Sequence, residues 1–160
     1  MGYLTGMNLY LIRHAHAVTA AENPARPLSR KGRTQVRQLA RFLRRTDVLR
    51  GVTLWHSPLE RARATATLLA AQLDSDNPLK CVPRLLTEAT PADIAAQLAN
   101  RRTDLALVGH EPTLGELATL LVCGQSEPTR FDMAKCGIIA LTRQRGLWTV
   151  RWQLTPDLLT

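Results

Sequence analysis

The chain has 160 residues and a mass of 17.8 kDa, the size expected of one domain. Hydrophobic residues make up 45% of it and charged residues 21%, which excludes a disordered chain, a collagen-like chain and a bare coiled coil. The sequence contains no apolar run near the roughly 18 residues of a membrane helix, and its start lacks the basic front of a signal peptide. We therefore expect a single domain over residues 1–160, with a loose start at 1–6, in the cytoplasm and not in a membrane.

The charge of the chain is strongly basic. Its 21 basic side chains, 18 Arg and 3 Lys, outnumber the 13 acidic ones and give a net charge of +8. Such a charge favours anionic partners, among them nucleic acid, phosphorylated metabolites and acidic proteins. Aromatic residues are only 4% and do not alternate with basic ones as they do on base-stacking surfaces, which argues against nucleic acid.

The cysteines and histidines do not form a metal-binding pattern. The three cysteines are an odd number at wide spacings, which fits neither a disulfide framework nor a zinc knuckle. The four histidines lack a pair at helical i, i+4 spacing, which argues against a zinc hydrolase. We expect no metal, and we interpret the cysteines as buried thiols in a reducing compartment: Cys81, Cys123 and Cys136.

Strands and helices alternate along the first part of the chain. The unbroken apolar run 8–12 predicts a strand that is buried on both faces. The broken stretch 15–28 follows it and is long enough for a functional loop. Ser29 is the expected N-cap of an amphipathic helix over 30–45, whose apolar positions are separated from its arginines Arg33, Arg37, Arg41 and Arg44.

The alternation continues to the end of the chain. The predicted elements are a strand at 52–56, a helix from Pro58 to about 73, a short strand at 80–82, a helix at 91–99, a strand at 104–108 and a helix from Pro112 to 122. The segments 138–141 and 147–154 predict a hairpin joined by 142–146, with Trp148, Val150 and Trp152 on one face. This order predicts an α/β fold of three layers, α/β/α, around a mostly parallel sheet.

Three strand-to-helix junctions carry residues suited to phosphate chemistry. They are Arg13-His14, Ser57-Pro58-Leu59-Glu60-Arg61 and Gly109-His110-Glu111-Pro112. Because ligands bind at the carboxyl ends of the strands in such a sheet, two arginines and two histidines would meet in one crevice. Guanidinium groups bind phosphate with two hydrogen bonds, helix N-termini favour anions, and a neutral histidine can act as a nucleophile. This chemistry requires no metal or cofactor.

Each junction also has a structural interpretation. An Arg-His pair after a strand is by itself a weak signal, and Gly109 could serve only close helix–strand packing. His16 and His56 fit loop or core roles better than catalytic ones. A module that binds anions or nucleic acid without catalysis is the alternative from another functional class. The presence of both His14 and His110 argues against it, since anion binding needs no nucleophile.

The junction segments, taken in order, resemble the histidine phosphatase superfamily, whose fold is that of phosphoglycerate mutase. The matching segments are Leu11-Ile12-Arg13-His14-Ala15, the run from Ser57 to Ala66, and Leu107-Val108-Gly109-His110-Glu111-Pro112. The short length and the segment Arg26-Pro27-Leu28-Ser29-Arg30-Lys31-Gly32 resemble its SixA branch, the protein phosphohistidine phosphatases. The resemblance extends over residues 7–154.

The resemblance implies roles for these residues. His14 would attack phosphorus and form a phosphohistidine intermediate, while Arg13, Arg61 and His110 would hold the phosphoryl oxygens and stabilise the transition state. Water would then release inorganic phosphate, with no metal and no cofactor.

A proton donor for the leaving group is less clearly marked. In many members of the superfamily a carboxylate has this role, and Glu88 is its best positional match, with Glu111 as a competing candidate. Ala15 departs from the glycine that many members have at this position, which affects the expected geometry of the loop. The chemistry itself is not affected.

The leading hypothesis is a metal-independent phosphatase that removes a phosphoryl group from phosphohistidine in a signalling or phosphotransfer protein. The alternative within enzymes is hydrolysis of small phosphate monoesters by the same mechanism. A short chain without a large insertion would leave an open crevice, which suits a phosphoryl group carried by a protein. The expected partner is therefore a phosphohistidine-bearing protein.

Overall fold

A six-stranded sheet runs through the computed structural model, which describes residues 6–83 and 88–159. Its strands are β1 (Met7–Arg13), β2 (Thr53–His56), β3 (Leu79–Cys81), β4 (Leu105–Gly109), β5 (Ile138–Gln144) and β6 (Leu147–Leu154). Their order is β3-β2-β4-β1-β5-β6, with β1 to β4 paired in parallel and β5 antiparallel to both neighbours. The mostly parallel sheet is confirmed. Of the predicted loose start, residues 1–5 lie outside the described residues.

Helices cover both faces of the sheet. They are α1 (Arg30–Thr46), α2 (Glu60–Gln72), α3 (Pro91–Leu98) and α4 (Thr113–Cys123), followed by a 3₁₀ turn at Pro156–Leu159. Helices α1 and α2 pack on one face, and α3 and α4 on the other. The three-layer α/β/α arrangement is therefore confirmed. In the described ranges, no helix has the length and apolar character needed to cross a membrane.

The central strands are buried because both of their faces are covered. Along β1, Leu9 and Leu11 pack towards α3 and α4, whereas Tyr10 and Ile12 pack towards α1 and α2. All five residues of β4 are buried. A strand between two helical layers requires an unbroken apolar run, because its side chains are buried against helices on both faces and apolar burial stabilises the fold.

Two helices begin later than the sequence indicates. Helix α2 starts at Glu60 and not at Pro58, because the Leu59 N–H donates to Ser57 Oγ (3.2 Å) and the chain makes a turn there. Helix α4 starts after Pro112, which occupies the N-cap position. In both cases the proline lies just before the first helical turn and not within it.

The expectation of three buried cysteines is wrong for two of them. Cys81 and Cys123 are exposed, and only Cys136 is buried. Cys81 ends β3, which is a strand at the edge of the sheet, and Cys123 is the last residue of α4. Their positions at the ends of peripheral elements explain the exposure.

A β-bulge changes the expected faces of the last hairpin. Arg145 and Gly146 form its turn with φ angles of 52° and 79°, a conformation that suits the twist of two-residue hairpins. Along β6 the register then shifts, and Arg151 is the additional residue. Because a bulge reverses the alternation of side chains, Trp148 packs on the α3 and α4 side and Trp152 on the α1 and α2 side. The expectation that both share a face is wrong.

The first turn of α1 is attached directly to the segment that follows β1. Ser29 is the N-cap, as predicted, and its Oγ accepts from the Gly32 N–H (3.0 Å). The His16 backbone N–H donates to Gln35 Oε1 (2.9 Å), and the Ser29 N–H donates to the His16 carbonyl (3.0 Å). A Cβ at Gly32 would lie 2.0 Å from that carbonyl oxygen. The close approach fixes α1 relative to the end of β1.

Candidate active site

The structure brings the four predicted phosphate-site residues together at the carboxyl end of the sheet. Arg13 ends β1 and is paired with Gly109, the last residue of β4. The next residue of each strand is a histidine, so His14 and His110 lie side by side, with ring centroids 5.2 Å apart. Arg61 comes from the first turn of α2, which follows the neighbouring strand β2.

The tautomer of His14 follows from its hydrogen bond. The ring is buried, with 6% of the residue exposed, and Nδ1 lies 2.8 Å from the Ala15 carbonyl oxygen. A carbonyl oxygen can only accept, so Nδ1 carries the hydrogen. In the neutral ring, Nε2 therefore keeps its lone pair and is the nucleophilic atom.

A serine hydroxyl orients the second histidine. Ser57 is fully buried, and its Oγ accepts from the Leu59 N–H and lies 2.7 Å from His110 Nε2. The hydroxyl hydrogen needs an acceptor, and His110 Nε2 is the one within reach. His110 Nδ1 then carries a hydrogen, and this buried atom has no hydrogen-bond partner among the described residues. His110 can thus donate to an anion through Nδ1.

The two arginines present further buried donors. Arg13 Nη1 donates to the Met133 carbonyl (2.8 Å), and the Nε atoms of Arg13 and Arg61 are buried without a hydrogen-bond partner among the described residues. Buried guanidinium N–H groups that no protein acceptor engages are suited to a phosphate oxygen. Because Arg61 lies in the first turn of α2, the helix dipole adds positive potential at the same point.

A threonine connects the two halves of this site. Thr65 Oγ1 donates to the Arg61 carbonyl (2.6 Å) and accepts from the Ala15 N–H (3.0 Å). Ala15 is itself fully buried, so the site accommodates its methyl group. This bridge holds the first turn of α2 against the residue that follows His14.

Two cations of the site were not identified from the sequence. Burial lowers the pKa of His110 and of Arg61, and the charge of Arg26, in the loop between β1 and α1, lowers both further. Burial lowers the pKa of Lys135, and the charges of Arg13 and Arg26 lower it further. Lys135 precedes β5, and because β5 is antiparallel, its start lies at the edge where the parallel strands end. That topology is the signal that could have revealed Lys135.

Both histidines are held in the neutral form. The pKa of His14 is lowered to about 4, chiefly by burial, with smaller effects from the charges of His110, Arg61 and Arg13, while the Ala15 hydrogen bond opposes the shift. The pKa of His110 is lowered to about 4 for the same reasons, namely burial and nearby arginines. The site thus combines neutral imidazoles with surrounding positive charge.

We expect both histidines to titrate near pH 4 and not near their usual 6.5 in the free protein. Unfolded histidines bind protons from pH 6.5 downward, so the free energy of unfolding should decrease over the interval from 6.5 to 4. Inorganic phosphate should raise both pKa values, since a bound anion favours the imidazolium. NMR titration of the ring C–H resonances measures this, and values near 6.5 without phosphate would contradict it.

The two candidate proton donors differ in their surroundings. Glu88 is exposed, in the segment before α3, and residues 85–87 of its motif lie outside the described residues. Glu111 is half-buried, and burial raises the pKa of its carboxyl group. Its Oε1 accepts from the Gly115 N–H (2.9 Å). The role of Glu88 as the acid remains a prediction, with Glu111 as its alternative.

The remaining histidines have structural contacts. His16 Nδ1 lies 2.7 Å from Ser29 Oγ, at the N-cap of α1. His56 is buried, and its Nδ1 donates to the Ser57 carbonyl (2.9 Å). Over residues 6–83 and 88–159, no group of three or more His, Cys, Asp and Glu side chains is placed to hold a metal ion.

Comparison with known proteins identifies the family. The model of the histidine phosphatase superfamily (branch 1) matches residues 9–88. An uncharacterized protein of Picosynechococcus sp. is 36% identical in an alignment 142 residues long, and the match covers 84% of each chain. The structure of the protein histidine phosphatase SixA complexed with tungstate superimposes with a TM-score of 0.82 and 26% identity, covering 96% of this chain and all of that one.

A second solved structure shows how widely the fold is shared. The α-ribazole phosphatase from Shigella flexneri matches with a TM-score of 0.70 and 19% identity, over 94% of this chain and 97% of that one. The chain belongs to branch 1 of the histidine phosphatase superfamily and is a SixA-like phosphatase.

Proposed function

We propose that this phosphatase removes the phosphoryl group from phosphohistidine on a phosphotransfer protein, through a covalent intermediate on His14. The observation that carries the proposal is the hydrogen bond from His14 Nδ1 to the Ala15 carbonyl. It leaves the Nε2 lone pair free in a buried site surrounded by arginines. A nucleophile that is neutral, oriented and flanked by cations is what attack on a phosphate dianion requires.

The reaction has two displacements. In the first, the His14 Nε2 lone pair forms a bond to phosphorus, the bond from phosphorus to the substrate imidazole breaks, and its electron pair stays on that imidazole nitrogen. In the second, a water oxygen bonds to phosphorus and the electron pair of the P–Nε2 bond returns to His14. Both hydrogens of the water stay on the product, which leaves as dihydrogen phosphate, and His14 returns to its neutral form.

The surrounding donors stabilise the charge of the transferred group. Arg13 and Arg61 offer guanidinium N–H groups, and His110 offers Nδ1–H, to the equatorial oxygens of the phosphoryl group. Arg26 and Lys135 add further positive charge near these groups. Because these donors are already placed in a largely buried site, little reorganisation is needed during the transfer.

The likeness to SixA and the chemistry of the leaving group support phosphohistidine as the substrate. The SixA structure matches over its whole length and contains tungstate, a tetrahedral oxyanion like phosphate. An imidazole that is protonated on its other nitrogen leaves as a neutral ring without a further acid. An alkyl phosphate, by contrast, needs a proton donor for its alkoxide.

Hydrolysis of small phosphate monoesters is the second candidate. The half-buried Glu111 favours it, because this carboxyl group directly follows His110 in the chain and burial shifts its pKa upward, the direction that suits a proton donor for a poor leaving group. The two candidates differ in whether a carboxyl group is needed for turnover.

Turnover of three substrates distinguishes the candidates: a phosphorylated phosphotransfer domain, free phosphohistidine and phosphoserine. We expect kcat/KM for phosphohistidine in the domain to exceed that for phosphoserine by about 100-fold or more, because a serine alkoxide leaves poorly. Glu88→Gln and Glu111→Gln are the controls and should reduce only phosphoserine hydrolysis. A preference for phosphoserine, or equal dependence of all substrates on one carboxyl group, would favour the monoesterase.

We also propose a cytoplasmic location. Cys81 and Cys123 are exposed and unpaired thiols, which persist in a reducing compartment. The phosphotransfer protein that we propose as partner would then be present in the same compartment.

A further inference from the structure

Five arginines form one exposed face of α1. At about 100° per residue, they fall within an arc of about 80°, and they extend over about 21 Å of the helix. We name this set the arginine face: Arg30, Arg33, Arg37, Arg41 and Arg44, all of them exposed. The opposite side of α1 is buried against the sheet.

No carboxylate neutralises the arginine face in the described part of the chain. Helix α1 contains no Asp or Glu. The two ion pairs found over residues 6–83 and 88–159 are Arg50–Asp47 and Arg63–Glu60, and neither includes the face. Arg33 and Arg44 donate to the backbone carbonyls of residues 28 and 72, which leaves their charge in place.

This arrangement opposes the stability of the helix. Arg33 and Arg37, and again Arg37 and Arg41, are like charges at i, i+4 spacing, which repel. Arg30 lies in the first turn, where the helix dipole disfavours a cation. A mixture of acidic and basic side chains would be enough to keep the protein soluble. Helices α3 and α4 contain no basic residue at all. The arginines are therefore concentrated on α1 although they lower the stability of that helix.

The arginine face is continuous with the active site. His16, two residues after His14, lies at the N-cap of α1, where its Nδ1 is 2.7 Å from Ser29 Oγ and its carbonyl accepts from the Ser29 N–H (3.0 Å). Arg30, the first residue of the face, follows Ser29 directly. Positive charge thus extends from the phosphate site to the N-terminus of α1 and along the helix.

We infer that the arginine face docks an acidic surface of the phosphohistidine-bearing protein, next to the histidine that enters the active site. The inference rests on the proposed function. Charge complementarity selects an acidic protein, since a row of unpaired guanidinium groups attracts carboxylates and speeds their encounter. Nucleic acid is less well matched, because Phe42, the aromatic residue of α1, packs inward against Trp152 and is not available to stack on bases.

The test compares a protein substrate with a small one that has the same scissile bond. The probes are an acidic phosphotransfer domain phosphorylated on histidine and free phosphohistidine, both at low ionic strength. Arg37→Glu combined with Arg41→Glu should lower kcat/KM for the domain at least about 10-fold and leave kcat/KM for free phosphohistidine within about twofold.

A matched pair controls for net charge. Arg102→Glu with Arg145→Glu makes the same change of charge at a cavity beside Met7, at the start of β1 and thus at the end of the strand away from His14. This pair should leave the rate with the domain within about threefold of wild type. Independently of any variant, added NaCl should slow wild-type turnover of the domain much more than that of free phosphohistidine, since exposed charges are screened more than those of a largely buried site.

The outcomes are distinct. If Arg37→Glu/Arg41→Glu lowers kcat/KM equally for both substrates, α1 acts on the active site and not on a partner. If the variant lowers kcat/KM for neither substrate, the arginine face has no docking role. Both results overturn the inference. Loss of duplex DNA binding in the Arg37→Glu/Arg41→Glu variant, with domain turnover unchanged, would assign the face to nucleic acid. A wild-type enzyme that is active on phosphoserine and inactive on both phosphohistidine substrates would refute the proposed function, and this partner with it.

Discussion

His14→Ala is expected to reduce turnover of phosphohistidine by roughly 10⁴-fold or more, because it removes the atom that accepts the phosphoryl group. Wild type should accumulate an acid-labile, alkali-stable phosphoryl label when quenched at high pH during turnover, and the variant should accumulate none. Rapid-quench labelling measures this directly. The variant should still bind phosphate, since Arg13, Arg61 and His110 remain.

His16→Ala is the control for this experiment. His16 lies two residues further along the same loop, and its ring contacts the hydroxyl of Ser29 at the N-cap of α1. Its removal should leave the label on His14 and change turnover much less than His14→Ala does. Labelling of the His14→Ala variant at wild-type levels would place the phosphoryl group on another residue and refute the mechanism.

Gly32→Ala is expected to destabilise the protein by about 2–3 kcal/mol, although alanine is ordinarily the better helix former by about 1 kcal/mol. The new methyl group would lie 2.0 Å from the His16 carbonyl oxygen, and backbone on both sides cannot easily move. Separation of α1 from the end of β1 would also displace the loop that contains His14. For a chain of this size we expect the melting temperature to fall by about 5–10 °C.

Thr34→Ala is the matched control in the same helix. Thr34 is exposed, and its hydroxyl donates back to the Arg30 carbonyl (3.2 Å), so its replacement should be neutral or slightly stabilising. Thermal unfolding by circular dichroism compares the two variants. If Gly32→Ala melts at or above the wild-type temperature, α1 is free to move away from His16, and the close approach does not fix the loop.

The elements and their order could be predicted from the sequence because burial and helix signals are local. The apolar runs of β1 and β4 and the N-cap at Ser29 were sufficient to predict the sheet and α1. The parallel pairing of β1 with β4 then placed His14 beside His110. Residues directly after buried parallel strands are therefore the part of a site that is easiest to predict.

The features that were missed depend on contacts between distant segments. Lys135 lies at the site only because β5 runs antiparallel to β1. The charge of Arg26 reaches His110 and Arg61, which are distant from it in the chain. The bulge at Arg151 depends on how β6 pairs with β5, and the alternation of apolar and polar residues within β6 does not reveal that pairing. The exposure of Cys81 follows from the position of β3 at the sheet edge, and no local pattern marks a strand as an edge.

The same bulge places Trp148 and Trp152 on opposite faces of the sheet, so that with Trp55 of β2 the protein has three separate fluorescent reporters. Trp152 lies against Phe42 of α1, Trp148 is stacked under the guanidinium of Arg143 on the opposite face, and Trp55 is flanked by two cations near β3. Had the alternation of β6 been regular, Trp148 and Trp152 would report on the same helical layer. As it is, variants that retain a single tryptophan would follow each layer and the β3 edge individually during unfolding.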